Sequence, residues 1–312
     1  MDAEIVRYPL TVGGLGPAGA AQSIVAGLPA DGDHISKTIV ITSNNRMYVN
    51  IGSASNSCQV ENRVLMSPGI DPCPELPVRA GVWAFPAGRL GQTQSDCVRH
   101  ATGLRNMVAL ALHPVSGNLW GAQNGRDQLF ENWPNLYTFE DDLVLPAEEL
   151  FNIVRGGDYG WPYCYYDPFL ALKVLAPEYG GDGEIQGRCT EALDPNEVFP
   201  AHWAPLSMVF GQDLRFPTSY QRGAFIAFHG SRFEPELQPQ GPGYNVAFVP
   251  FARDAVVTDA WTDFADGFAG PSTNLPEDAE HRPVGLAVGP DGSLYVSDDV
   301  GGRIWKITYV GS

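Results

Sequence analysis

Along this chain the polarity changes over short distances, and four segments repeat one pattern: an apolar run, a cluster of turn-forming residues, and a second apolar or aromatic run. The first spans Thr38–Ile51, where Ser43-Asn44-Asn45 separates Ile39-Val40-Ile41 from Met47-Tyr48-Val49. The second spans Ala109–Gly121, with Ser116-Gly117-Asn118 ahead of Leu119-Trp120. The third runs from Ser207-Met208-Val209-Phe210 across a longer connection to Gly223-Ala224-Phe225-Ile226-Ala227. The fourth spans Gly285–Ser297 and turns at Asp291-Gly292. Such turns tolerate the positive φ that tight hairpins demand, so each segment predicts an antiparallel hairpin. Helical patterning is scarce: Pro146–Ile153 predicts one short helix, stopped by Gly156-Gly157. Strands do not alternate with long helices, which argues against a parallel α/β sheet. The repeats predict a single all-β domain over residues 1–312, a β-propeller in which each blade supplies one sheet around a shared axis.

The repeats also carry a positional clue. With Ile41, Leu112, Phe210 and Val288 taken as equivalent, His34, Arg105 and Trp203 stand seven residues earlier and Arg282 six. One large polar or aromatic side chain thus enters each unit at about the same point. In a propeller such positions converge on one end of the central channel, where loops on a rigid scaffold build sites. The bland alternative is a set of solvated or carbonyl-capping side chains. Three ionisable groups in register tilt the reading toward a shared site.

Composition narrows the class. Gly 35 and Pro 26 in 312 residues, with 18% charged residues, suit many short strands joined by turns. A formal charge of −17 argues against a nucleic-acid partner and fits a protein acting on a neutral small molecule. The sequence has no apolar run of membrane-spanning length, and no signal peptide is visible at Met1-Asp2-Ala3-Glu4. Of the five cysteines, Cys58/Cys73 and Cys164/Cys189 have spacings that suit local disulfides, with Cys97 left over; five free thiols are the alternative.

Three motifs are decoys. Gly14-Leu15-Gly16-Pro17-Ala18-Gly19 matches a dinucleotide fingerprint, but Pro17 spoils the loop and no βαβ units follow. Gly180-Gly181-Asp182-Gly183-Glu184 lacks the alternating acidic ligands of a helix-loop-helix calcium site. Ser231 beside His229 lacks the strand-turn-helix of a nucleophile elbow.

Several segments, in order and spanning nearly the whole chain, together resemble the glucose/sorbosone dehydrogenase family of soluble quinoproteins. They are Asp33-His34 with Ile39–Gly52, Asn56-Ser57-Cys58-Gln59, Pro68–Cys73, Arg79–Trp83, Gly103-Leu104-Arg105-Asn106, Asn124-Gly125-Arg126-Asp127, Gly156–Cys164, Phe228-His229-Gly230-Ser231, and His281–Gly285 with Pro290–Asp299. The resemblance implies a six-bladed propeller that binds pyrroloquinoline quinone (PQQ) and calcium at the mouth of its channel. It implies that His34 is the general base, taking a proton from a sugar hydroxyl, usually the anomeric one, while hydride passes to the quinone. An imidazole suits that task because it titrates near neutrality. Taken alone, His34 reads better as a turn residue pairing with Asp33; the resemblance reverses that preference. Arg105, assisted by Asn106, would stabilise charge on the quinone oxygen, as a fixed guanidinium can without reorganising. Arg282 would face a cofactor carboxylate, with His229 and Arg232 as further cofactor contacts. Backbone carbonyls of Gly125 and Arg126 would hold the calcium. A periplasmic or secreted enzyme with an unspecified electron acceptor follows.

The chain departs from that family in three places. Arg232-Phe233-Glu234 stands where relatives usually read Trp-Asn-Arg, and Gln123 where they often carry Glu. The histidine normally follows a signal peptide and one or two blades, whereas 33 residues precede it here. The expectation is a propeller lacking its first part, with exposed sheet faces that a second copy would cover in a homodimer. Two other functions stay open: a non-catalytic carbohydrate- or protein-binding propeller, and a calcium-dependent propeller lactonase.

Overall fold

In the computed structural model, which describes residues 3–271, 273 and 275–311, all four hairpins form and each grows into an antiparallel meander. The first meander is Ile39–Ile41, Arg46–Ile51, Gly81–Pro86 and Val98–Thr102. The second is Ala109–Leu112, Leu119–Gln123, Glu148–Asn152 and Glu197–Phe199. The third is Pro205–Phe210, Gly223–Phe228, Asn245–Ala252 and Thr262–Ala265, and the fourth is Pro283–Val288, Leu294–Asp298 and Ile304–Ile307. A two-stranded sheet, Ala3–Arg7 with Gln22–Leu28, precedes them, and the Gly14–Gly19 segment is the loop between its strands. The turn residues work as expected: Asn45 (φ 65°), Gly117 (φ 73°) and Gly292 (φ 74°) take the left-handed conformation at their hairpin tips.

The sheets stack face to face because each strand alternates its apolar residues toward a neighbour. Ile24, Val25 and Leu28 share a core with Val49, Trp83 and Phe85. Val82 and Leu104 meet Leu110 and Phe151, and Trp120 and Leu150 meet Met208 and Ile226. Phe225 and Phe248 meet Leu294 and Val296. Among the described residues no core cluster joins the first sheet to the last, and Val6 on the former and Ile304 on the latter stay exposed.

One element differs from the sequence reading. Residues 146–153 hold the strand Glu148–Asn152, not a helix. So short a helix is marginal by itself. Here Leu119–Gln123 and Glu197–Phe199 hydrogen-bond the segment on both sides, and Glu148 and Glu149 are buried with partners of their own.

Two long excursions interrupt the second meander. The first carries the short helices Leu129–Asn132 and Phe139–Val144, and the second the hairpin Cys164–Asp167/Leu172–Leu175. They share a core of Leu129, Trp133, Tyr137, Tyr165 and Val174. A buried two-pronged ion pair, Arg126 to Glu178 (2.5 and 2.8 Å), pins one to the other. Disulfides join Cys58 to Cys73 and Cys164 to Cys189. Cys97 is free, and burial pushes its thiol up to about 11. Among the described residues no helix is long and apolar enough to cross a membrane.

Candidate active site

The first strands of successive meanders lie side by side: Ile39–Ile41 by Ala109–Leu112, that strand by Pro205–Phe210, and that one by Pro283–Val288. The segments entering them therefore meet at one end. Hydrogen bonds link them in turn: Ser53 N to Arg105 O (2.8 Å), Asn124 N to Asn106 O (3.0 Å), Asn124 Nδ2 to Pro205 O (2.8 Å), and His229 N to Ala204 O (3.0 Å). Within this belt is an open cavity of about 230 Å³. His34, Arg105, Gly125 and Arg232 line it, together with Asn124, Asp127, Glu148, His202, Ala204 and Gly230. A wider cleft of about 530 Å³, lined by His113 and Phe210, sits at the opposite ends of the same strands.

His34 is held by Ser53, whose carbonyl (3.0 Å) and hydroxyl (2.9 Å) both face its Nδ1. A carbonyl only accepts, so Nδ1 carries the proton and Nε2 keeps its lone pair. Burial, and then the charge of Arg105, lowers the His34 pKa to about 3, so the ring is neutral at physiological pH. Asp33 does not pair with it; that carboxylate accepts from Arg63 Nε at 2.9 Å. Gly52 lets the histidine come close, because a Cβ there would lie 2.6 Å from His34 Cβ and 3.0 Å from Asn106 Oδ1.

Arg105 is buried, and its donors are spoken for. Nε reaches Asn56 O (3.1 Å), Nη1 reaches Gly125 O (2.6 Å), and Nη2 reaches Asn56 Oδ1 (2.9 Å) and Asp127 Oδ2 (3.3 Å). Asn56 in turn donates to Asp127 O (2.8 Å) and accepts from Trp161 Nε1 (2.9 Å). Burial opposes ionisation of Asp127, but His202, Arg105 and Arg63 outweigh it and hold the carboxyl well below its usual range. Glu148 accepts from Gly125 N (2.7 Å) and Ala204 N (3.0 Å), and burial raises it to about 7. Sequence reasoning assigned nothing to Asn56, Asp127, Glu148 or His202.

The remaining expected residues are less uniform. Arg232 lines the cavity but is tied to Glu131 (3.0 Å) and Asp142 (2.7 Å) and stacks on Phe233. Asn106 lies behind Gly52 and accepts weakly from Asn50 (3.5 Å), outside the lining. Arg126 is likewise outside, drawn toward the excursions by Glu178. His229 turns its Nε2 to Asp299 (3.0 Å). Trp203 is a core residue whose Nε1 donates to Gly241 O (2.8 Å); its neighbour His202 takes the cavity position instead. The reason is local backbone: His202 (φ 64°) and Ala204 (φ 55°) are left-handed and rotate the entry by one residue. Trp161 and Tyr159 are buried packing residues too.

Arg282 stands one step from the cavity. Its Nε donates to His229 O (2.9 Å) and its Nη2 to Gly230 O (3.1 Å) and Ser231 O (3.3 Å), and the guanidinium stacks on Tyr244. Among the described residues no carboxylate pairs with it. In a chain of net charge −17 a cation held only by carbonyls fits an anionic ligand. A polycarboxylate cofactor meets that condition. Among the described residues, Cys58, Cys73 and Glu75 form the one grouping of three His, Cys, Asp or Glu donors, and its thiols are a disulfide.

The sequence matches the TrAA12-like family over residues 2–310. The chain belongs to this family. It is 27% identical over 301 residues to the pyrroloquinoline quinone-dependent sugar dehydrogenase of Hypocrea jecorina (strain QM6a), covering 88% of this chain and 62% of that protein. The TrAA12-like chain thus spans under two thirds of that relative's length. In structure it is similar to the calcium form of the Trichoderma reesei family AA12 protein, at TM-score 0.72 and 23% identity, over 97% of this chain and 75% of the other. It is also similar to the holo PQQ domain of Coprinopsis cinerea pyranose dehydrogenase, at TM-score 0.71 and 22% identity, over 99% and 77%. These likenesses place the TrAA12-like chain in the propeller fold of the PQQ sugar dehydrogenases.

Proposed function

We propose that this chain is a PQQ-dependent sugar dehydrogenase that oxidises the anomeric hydroxyl of an aldose or a related sugar or aldehyde, with calcium accompanying the cofactor. The observation that carries the reading is His34: a neutral imidazole in the cavity, its Nδ1 proton given to Ser53 and its Nε2 left to accept a proton. When bound, PQQ supplies a two-electron acceptor and calcium a Lewis acid beside it.

The residues divide the remaining work. His34 Nε2 takes the proton of the sugar hydroxyl. Burial, and then the fixed positive charge of Arg105, holds the base unprotonated before substrate arrives. Gly52 leaves room for His34, with Asn106 on the same side of the glycine. Arg282, with Arg232 and His229, would receive the cofactor carboxylates, Arg282 being the one that has no acidic partner among the described residues. Carbonyls of Gly125 and Arg126 would hold the calcium, with the Gly125 carbonyl, which here accepts from Arg105 Nη1, turning to the metal. The stacked sheets are blades of the six-bladed propeller that the sequence resemblance implies. The two disulfides favour a periplasmic or secreted location.

The test is reconstitution. Apo-protein mixed with PQQ and calcium is expected to reduce an artificial dye when aldoses are added. Failure with a broad sugar panel, joined to absence of cofactor binding, would reject the proposal. Binding without turnover would make the chain a degenerate, non-catalytic relative.

A further inference from the structure

The loop Gly52–Ser55 leaves the strand Arg46–Ile51 and passes beneath His34. Ser53 is fully buried there, and its hydroxyl is not free to choose a role. Ser53 Oγ–H donates to Ser55 O at 2.6 Å, so the single hydroxyl proton is committed. Only a lone pair is left for His34 Nδ1 at 2.9 Å, and the Ser53 carbonyl, at 3.0 Å, offers only lone pairs as well. Two acceptors on one residue therefore converge on one ring nitrogen. From the far side the Glu75 carboxylate accepts from both Ala54 N and Ser55 Oγ, and Ser55 Oγ accepts from Cys58 N at 2.9 Å. Glu75 is itself fixed, because its carbonyl accepts from Val78 N (3.0 Å) and Arg79 N (2.7 Å).

We propose that Ser53 is the positioning residue of the site, setting His34 in the Nδ1–H tautomer through its carbonyl and hydroxyl, and that Glu75 locks the Ser53–Ser55 turn which makes this possible. The inference rests on the reading of His34 as the base. It goes beyond that reading by naming what aims the base. A neutral partner orients the ring without adding charge, unlike a carboxylate, which would stabilise the imidazolium. The site thus presents its base in one tautomer while leaving it unprotonated.

Nitrogen-15 NMR of the labelled apo-protein tests this, because ring shifts report the tautomer directly. The chain has six histidines, and His34→Gln assigns the signal in question. The expected result is a neutral His34 with Nδ1 protonated. Ser53→Thr keeps that tautomer, Glu75→Ala mixes the two, and Ser53→Asp raises the titration midpoint of His34 by about one pH unit or more. An Nε2–H tautomer in the unmodified protein overturns the proposal, as does a folded Ser53→Asp variant whose His34 titrates unchanged. Should a variant fail to fold, the unmodified spectrum decides alone. The two readings also fail separately. An Nδ1–H tautomer in a protein that never oxidises sugar with PQQ leaves this inference standing and removes the function, whereas turnover with an Nε2–H tautomer does the reverse.

Discussion

Asp127 grips Arg105 through one carboxylate oxygen (Oδ2 to Nη2, 3.3 Å) and faces His202 Nδ1 through the other (3.6 Å). The buried guanidinium would otherwise rest on neutral acceptors alone. Removing one member of a buried pair leaves the other charge uncompensated, at about 3–5 kcal/mol when both are fully enclosed. The Asp127 side chain retains 27% exposure, so solvent screening reduces the loss. Asp127→Asn is predicted to destabilise by about 1–3 kcal/mol in urea unfolding. It is also predicted to lower the pKa of His202, which Asp127 raises against the opposing effect of burial.

Arg282 makes a complementary prediction about ligand rather than stability. Its charge is unpaired among the described residues, and a charge-assisted hydrogen bond contributes about 1.5–3 kcal/mol. Arg282→Gln is therefore expected to weaken PQQ binding by roughly 10- to 100-fold in an absorbance titration. Arg126→Met, which breaks the ion pair joining the excursions, is expected to lower the midpoint of urea unfolding.

The pH dependence of folding has a definite sign at His34. Its folded pKa is about 3 against 6.5 for an unperturbed ring, so between those values the unfolded chain binds a proton that the folded one excludes. Stability is then lost as pH falls from about 6.5 toward 3. His34→Gln removes this contribution. The melting temperature of the variant, relative to the unmodified protein, is predicted to rise steadily as pH is lowered from 6.5 to 4.

His202, to which spacing gave no role, takes the cavity position that spacing gave to Trp203. Trp203 fills the core between the second and third meanders with Trp120, Ile226 and Phe228, so Trp203→Ala is predicted to cost about 3–5 kcal/mol of stability. His202→Ala should cost less stability and more activity, measured as kcat/KM of the reconstituted protein.

The swap shows where sequence reading stops. The hairpins were legible because their information is local: apolar runs around residues that accept positive φ, as at Asn45 and Gly292. His34 and Arg105 were legible because equal spacing from equivalent strands survives in the fold. The one-residue slip at His202 was not, since neither His202 nor Ala204 is a residue whose type announces the left-handed conformation it takes. Asn56 acts on Arg105 across 49 positions of sequence, a contact that no local pattern encodes. Glu148–Asn152 has a helical look by itself and becomes a strand only through partners from 119–123 and 197–199.

The central claim is that His34 removes a proton from a sugar hydroxyl beside bound PQQ. Titrating PQQ into the unmodified protein and into His34→Ala, then adding an aldose and a dye to each, tests it most directly. The account predicts equal cofactor binding by both proteins and turnover reduced at least a hundredfold in the variant, in line with the usual contribution of a general base, about 10²–10⁴. Turnover by His34→Ala at the rate of the unmodified protein would contradict it.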